Sequence, residues 1–238
     1  VGVLGRACAG AFTRVEGPEG ITEHGEAITM TPFQFIEIPT ATVDLGWRFD
    51  NVLPKQAAEA MSEFAGEGFR SLFFSPARTV SVAAFKIATT AVPWNELFSC
   101  DDCEAVSSVQ QACDQFNAKL AEFGWRLPTE DEFELAAGGE LFAWGNEIPE
   151  GIPYGKETTF TRHKDKTPRG LVLNDNPYNV ELVSTAFKMG DGGVSICGGD
   201  PWPIAWLALS PAFRCPEEMI AGVLGEYLES TRVRPVLL

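Results

Sequence analysis

A chain of 238 residues with 45% hydrophobic and 11% aromatic residues has enough apolar side chain for a continuous core, in one large domain or two small ones. Its formal net charge of −15 argues against nucleic acid and anionic membrane surfaces as partners, because phosphate contacts need clustered Lys and Arg. No apolar run approaches the roughly 18 to 20 residues of a membrane-spanning helix, so no membrane span is expected and the chain reads as soluble, or peripheral through protein contact.

Residues 1–30 are Gly-rich, contain Glu16-Gly17-Pro18-Glu19-Gly20 and show little periodicity, which predicts an extended N-terminal arm that either docks on a partner or stays disordered. The first residue is Val1 and no targeting peptide follows it. This fits either a processed mature chain in an organelle or exported compartment, or a fragment. Six cysteines are too few for a disulfide-built scaffold and leave the redox compartment open.

Phe33-Gln34-Phe35-Ile36-Glu37-Ile38-Pro39 and Ala41-Thr42-Val43-Asp44-Leu45-Gly46 are β-rich runs separated by a short turn. Residues 54–66 begin with Pro, are rich in helix formers and end at Gly66, predicting a helix. From Thr79 to Ala88 apolar and polar residues alternate, then change phase at Ala83-Ala84, the pattern of a strand with a bulge. Between Glu104 and Phe123, apolar residues at Val106, Val109, Cys113, Phe116, Leu120 and Phe123 follow helical spacing, with Cys113 on the buried stripe as a small core residue.

Gly124 to Gly139 is the most fully determined stretch. Thr129 can cap a helix whose Glu132 reaches back to the cap's own N–H, Pro128 stops the helix from starting earlier, and Gly138-Gly139 can end it. Glu130, Asp131 and Glu132 suit the positive end of the helix dipole. Residues 151–169 form a polar loop, followed by the Gly170–Leu173 run and by Asn174-Asp175-Asn176-Pro177-Tyr178-Asn179-Val180-Glu181-Leu182.

Trp125-Arg126-Leu127-Pro128-Thr129-Glu130-Asp131-Glu132-Phe133-Glu134-Leu135-Ala136-Ala137, with Phe142-Ala143-Trp144-Gly145-Asn146-Glu147, resembles a signature of the formylglycine-generating enzyme (sulfatase-modifying factor) superfamily. That superfamily includes the C-terminal domains of ergothioneine-type sulfoxide synthases. The resemblance spans about residues 33 to 238 in family order. Residues 33–46 are similar to the hairpin that opens the family domain, Cys197-Gly198-Gly199-Asp200-Pro201-Trp202 to a turn, Pro211-Ala212-Phe213-Arg214 to the strand after it, and Thr231-Arg232-Val233-Arg234 to the terminal strand.

The resemblance implies an α+β domain over residues 31–238, a variant of the C-type-lectin-like fold with irregular mixed sheets, a few helices and long loops. It makes the helix near 54–66 an insertion.

The family's oxidases hold copper on two cysteines with four residues between them, because soft Cu(I) prefers thiolate ligands. Here Cys215, beside Arg214, matches the second position, but the first is Ser210, so copper is not expected. If the chain is an enzyme, a divergent copper cysteine oxidase would use Cys215 with Cys197 and Arg214.

The sulfoxide-synthase branch needs three histidines at iron, whereas this chain has only His24 and His163, both read as surface residues. Asn174, Asp175, Asn176 and Asp191 offer hard oxygen atoms for calcium, although such residues also build turns without an ion. Cys100-Asp101-Asp102-Cys103 sits among acids that disfavour a thiolate, leaving a disulfide, free thiols or an incidental metal site open; the pairing state of Cys100, Cys103 and Cys113 is undetermined.

The expectation is therefore a non-catalytic domain that binds protein or serves as a structural subunit, docked through the arm, the 54–66 helix and the 151–169 loop. The alternatives are the metal-dependent oxidoreductase, including an iron site completed by a partner chain, and a lectin-like ligand binder exposing Trp202 and Trp206.

Overall fold

The computed structural model describes residues 33–50, 53, 55–65, 68–98, 106–153, 159–197, 202–215, 228 and 230–238. The 1–30 arm, His24 and the Cys100–Cys103 motif lie outside the described residues, as do residues 154–158 of the long loop and 198–201. What is described is a mixed α+β architecture of three sheets and a few short helices.

The first sheet runs in the order β1 (Phe35–Ile38), β4 (Phe85–Ala88), β11 (Val236–Leu237), β6 (Trp125–Arg126), with every pairing antiparallel. Successive side chains on a strand face opposite ways. Ile87 and Val236 accordingly join a core with Ile38, Phe133, Leu171 and Val183, while Ala88 and Trp125 join a second core with Phe116, Phe187, Trp206 and Phe213. The sheet is buried on both faces.

The second sheet runs β5 (Val92–Pro93), β10 (Thr231–Val233), β7 (Val180–Leu182), β8 (Phe187–Lys188), β9 (Arg214–Cys215), with β10 and β7 parallel and the rest antiparallel. Its register gives it two unlike faces. Leu182, Phe187 and Cys215 align on the apolar face, whereas Glu181, Lys188 and Arg214 align on the other.

Two expectations are corrected in the N-terminal half. Residues 33–46 do not fold back on themselves: β1 pairs with β4, and β2 (Ala41–Leu45) pairs with β3 (Arg78–Val82) in a separate two-stranded sheet. The phase change at Ala83-Ala84 is thus no bulge but the crossing point between β3 and β4, two strands of different sheets. Both corrections share one cause, since β2 and β3 leave the first sheet together.

The helix expected near 54–66 is α1 (Lys55–Ala65), and a second short helix, α2 (Gly68–Phe73), follows it. α1 packs on α6 (Trp202–Leu207), burying Ala57 and Met61. Of the turn expected at Cys197–Trp202, Cys197 ends the short α5 (Val194–Cys197) and Trp202 begins α6, while residues 198–201 lie outside the described residues.

α3 (Val109–Ala121) starts at Ser108, whose hydroxyl accepts the Gln111 N–H, and buries Val109, Ala112, Cys113, Phe116 and Leu120. Of the expected stripe, Val109, Cys113, Phe116 and Leu120 are on the buried face, joined by Ala112, whereas Val106 and Phe123 lie half-buried beyond the helix ends. α4 (Glu130–Ala137) has the full capping box: Thr129 Oγ1 accepts the Glu132 N–H at 3.2 Å, and the Glu132 carboxylate accepts the Thr129 N–H at 2.8 Å. The helix ends at Gly138.

Gly46 has φ +79°, and a Cβ there would lie 2.0 Å from the Pro76 carbonyl oxygen, so the β2 and β3 ends close on each other only through glycine. Among the described residues no helix is long and apolar enough to cross a membrane.

Candidate functional site

α4 lies at the centre of the polar chemistry. Glu130 and Glu134 point inward, onto the polar face of the second sheet. Lys188, fully buried on β8, donates to Glu130 Oε1 at 2.8 Å and Glu134 Oε1 at 2.9 Å. Arg214 on β9 pairs through both Nε and Nη2 with the Glu130 carboxylate, the Nε contact being 2.6 Å. Burial alone would raise the Glu130 carboxyl, but Arg214 and Lys188 override it and hold its pKa at about 2.

Glu134 also accepts the Ser75 hydroxyl at 2.5 Å and the Gly46 N–H at 2.8 Å, which ties the β2–β3 ribbon to the helix. Arg78 on β3 pairs with Asp131 at 2.6 Å, and Arg126 on β6 takes Glu132 in a fork with both contacts at 2.6 Å. Each acid of α4 has a basic partner on a different strand.

A second buried pair lies beside this network. Glu181 and Arg234, each 1% exposed, meet through two contacts of 2.9 Å. Arg234 continues to the Ala88 carbonyl at 3.0 Å and the Val172 carbonyl at 2.7 Å, and Glu181 accepts the Asn174 N–H at 3.0 Å. These contacts join the first sheet to the second. Both networks are closed, with every charge neutralised inside the protein.

The candidate oxidase residues are distributed by this framework. Arg214 is committed to Glu130, on the face of the sheet opposite Cys215. Cys215 is buried, in register with Phe187. Ser210, five positions earlier, is fully buried in a turn where its hydroxyl accepts the Ala212 N–H at 3.3 Å. Cys197 is an exposed free thiol at the end of α5, 3.4 Å from the Tyr178 hydroxyl. Cys113 is buried, its thiol donating to the Val183 carbonyl at 3.2 Å.

The candidate calcium residues are spread over two turns. The Asn174 amide donates to the carbonyls of Asn176 at 2.9 Å, Asn179 at 2.8 Å and Met189, while the Asn176 side chain accepts the Tyr178 N–H at 3.0 Å. Asp191 accepts the Gly193 and Ser195 N–H groups at 2.9 Å each and starts α5, and burial raises its carboxyl pKa. Asp175 is half-buried. Among the described residues no three His, Cys, Asp or Glu side chains form a cluster able to hold a metal ion.

His163 is not at the surface. It is 4% exposed and packed against Phe160, Trp144 and Trp206, because the short 3-10 turn Arg162–Lys164 directs its ring inward while its charged neighbours stay outside. Trp206 is fully buried in the same cluster, its indole N–H donating to the Gly151 carbonyl at 2.8 Å, so it is not an exposed recognition residue. The Trp202 side chain lies outside what is described.

An open cleft of about 580 Å³ borders this cluster, lined by Glu140, Trp144, Asn146, Arg162, Asp165 and Lys166 among others. One wall is the half-buried Trp144, stacked on Phe142 at 4.4 Å and 4°. The other wall belongs to the 162–168 segment, anchored by Arg162, which donates to the Trp144 carbonyl at 2.9 Å and pairs with Glu147 at 3.5 Å. The sequence predicts a polar loop here; the aromatic cage under it is a feature that only the structure shows. The available signal was the spacing of Phe160 and His163, two rings three residues apart within a charged run.

No protein-family model matches the chain, and no curated protein matches it in sequence.

Proposed function

We propose that this chain is a formylglycine-generating-enzyme-like domain, a variant of the C-type-lectin-like fold, that binds protein or serves as a structural subunit of a larger assembly and does not oxidise cysteine. The observation that carries the reading is the setting of Cys215. It lies on the apolar face of the second sheet, and the position where a first thiolate is required holds the buried, turn-forming Ser210.

The motif that carries the resemblance supports the same conclusion. Its Glu130, Glu132 and Glu134 are consumed in ion pairs to strands, an arrangement that holds a scaffold together and leaves no carboxylate free to act as acid or base. The exposed face of α1 and the outward-facing charged side chains of the 159–168 segment are where a partner protein would dock, since both face solvent.

The test has two arms. Purified chain supplied with copper, oxygen and a cysteine-containing peptide is expected to form no aldehyde above the level of the Cys215→Ser variant. Crosslinking in native extract is expected to place the chain in a complex with other polypeptides through α1 or residues 159–168. Copper-dependent aldehyde formation that the Cys215→Ser variant lacks would refute the reading.

The cleft beside Trp144 favours a second reading, a lectin-like binder of small ligands, which predicts quenching of indole emission by a saccharide that the Trp144→Ala variant does not show.

A further inference from the structure

The 162–168 segment forms one wall of the Trp144 cleft, and of the two inward-facing side chains that hold it, Thr167 and His163, the second is ionisable. The His163 ring lies nearly parallel to Phe160, at 6.1 Å and 15°, and meets Trp206 edge-on at 5.4 Å and 78°. Trp144 closes the cage at 6.3 Å and 75°. Within it, Nδ1 of His163 is buried and has no hydrogen-bond partner.

A neutral imidazole tolerates that position, because an unpaired ring nitrogen is a weak acceptor among apolar atoms. Protonation makes both ring nitrogens donors and adds a charge, and Nδ1 as placed has no acceptor in hydrogen-bond geometry. The fold therefore favours the neutral ring.

The charges around the ring come from three elements. Its own segment brings Arg162, Lys164 and Lys166 with Asp165; the loop before β7 brings Asp175; the 142–147 turn brings Glu147, which is paired to Arg162. α6, which supplies Trp206, carries no ionisable side chain. Burial is the largest influence and lowers the His163 pKa, Lys164 adds to it, and Asp175, a hydrogen bond to the Phe160 backbone and Asp165 oppose it without reversing it.

We propose that His163 is a pH-sensitive latch on the cleft: taking up a proton drives the imidazole out of the aromatic cage and frees the wall that carries Arg162, Asp165 and Lys166. The latch is independent of what the cleft binds and of whether the chain docks on a protein. The released histidine has the ordinary value of about 6.5, whereas the caged one lies lower. The wall is thus held most firmly above about pH 6.5. As the pH falls below that, the opening equilibrium rises by up to about tenfold per pH unit, until the caged pKa is reached.

Hydrogen exchange on the full chain, followed by mass spectrometry from pH 7.5 to 5 and normalised for the intrinsic pH dependence of exchange, reads the latch directly. Protection of residues 159–168 is expected to fall with acidification by up to about tenfold per pH unit in the wild type, and to stay level in His163→Phe, which keeps a ring in the cage and cannot titrate. Equal pH profiles in the two proteins would overturn the proposal.

A second measurement serves if His163→Phe does not fold. The chain has only two histidines, so His24→Gln leaves a single imidazole to follow by NMR. That imidazole is expected to titrate below the ordinary range, and the indole N–H signals of Trp144 and Trp206, which are bonded to the Glu147 and Gly151 carbonyls, are expected to shift over the same pH interval. Titration at or above the ordinary value, or indole signals that ignore it, would overturn the proposal as well.

Discussion

The Arg234–Glu181 pair gives the sharpest test of how the two sheets are joined. Arg234 makes four contacts of 2.7 to 3.0 Å, two to Glu181 and two to the backbone carbonyls of Ala88 and Val172. Glu181→Gln removes the countercharge and leaves a guanidinium buried, which costs about 3–5 kcal/mol. Arg234→Met does the reverse, stranding the carboxylate and two carbonyls, at a similar cost of about 3–5 kcal/mol.

The Glu181→Leu/Arg234→Met double variant strands no charge. It leaves three backbone groups without their partners: the Ala88 and Val172 carbonyls and the Asn174 N–H. At about 1 kcal/mol each, the double variant should lose about 3 kcal/mol, well below the sum of the single losses. Urea unfolding followed by circular dichroism measures all of these, with Glu181→Leu alone completing the cycle. Single losses under 1 kcal/mol, or losses that simply add, would show that the pair does not clamp the sheets.

Further outcomes follow from other contacts. Thr129→Ala should cost about 1 kcal/mol by removing half of the capping box, and Thr129→Ser should recover most of it in the same unfolding assay. Because the Glu130 pKa is about 2 against an ordinary 4.5, its contribution is complete above about pH 4.5 and is lost as pH falls towards 2; acid unfolding of Glu130→Gln should lack that part of the pH dependence. Gly190→Ala should cost at least about 2 kcal/mol, since φ is +145° and a Cβ would lie 1.8 Å from the Asn179 carbonyl oxygen. A thiol reagent should modify Cys197 in the native protein and reach Cys113 and Cys215 only on unfolding, as read by peptide mass spectrometry.

What could be read from the residues was local. The capping box, the Gly138 stop, the α3 stripe and the helix after residue 54 each depend on neighbours within a few positions, and each is where the pattern put it. What could not be read was long-range pairing. Alternation identified Thr79–Ala88 as extended but carried nothing about β3 and β4 entering different sheets, because that depends on strands more than 30 residues away in either direction.

The same holds for charge. Glu130 looks like a helix dipole's ordinary acid until Lys188 and Arg214, over 50 residues on, are seen beside it. His163 misled for a related reason: its sequence neighbours are polar, while its spatial neighbours are Trp144 and Trp206.

The stretch from Thr231 to Leu237 supplies an interior strand to both large sheets, β10 between β5 and β7 and β11 between β4 and β6. A nascent chain emerging from the ribosome therefore cannot complete either sheet until these residues have been made and have cleared the exit tunnel. Until then β4, β6 and β7 present open edges and uncovered apolar faces, the kind of surface that chaperones engage. Folding of this domain should accordingly wait for these residues, and stalling synthesis before Thr231 should yield a chaperone-bound, protease-sensitive polypeptide.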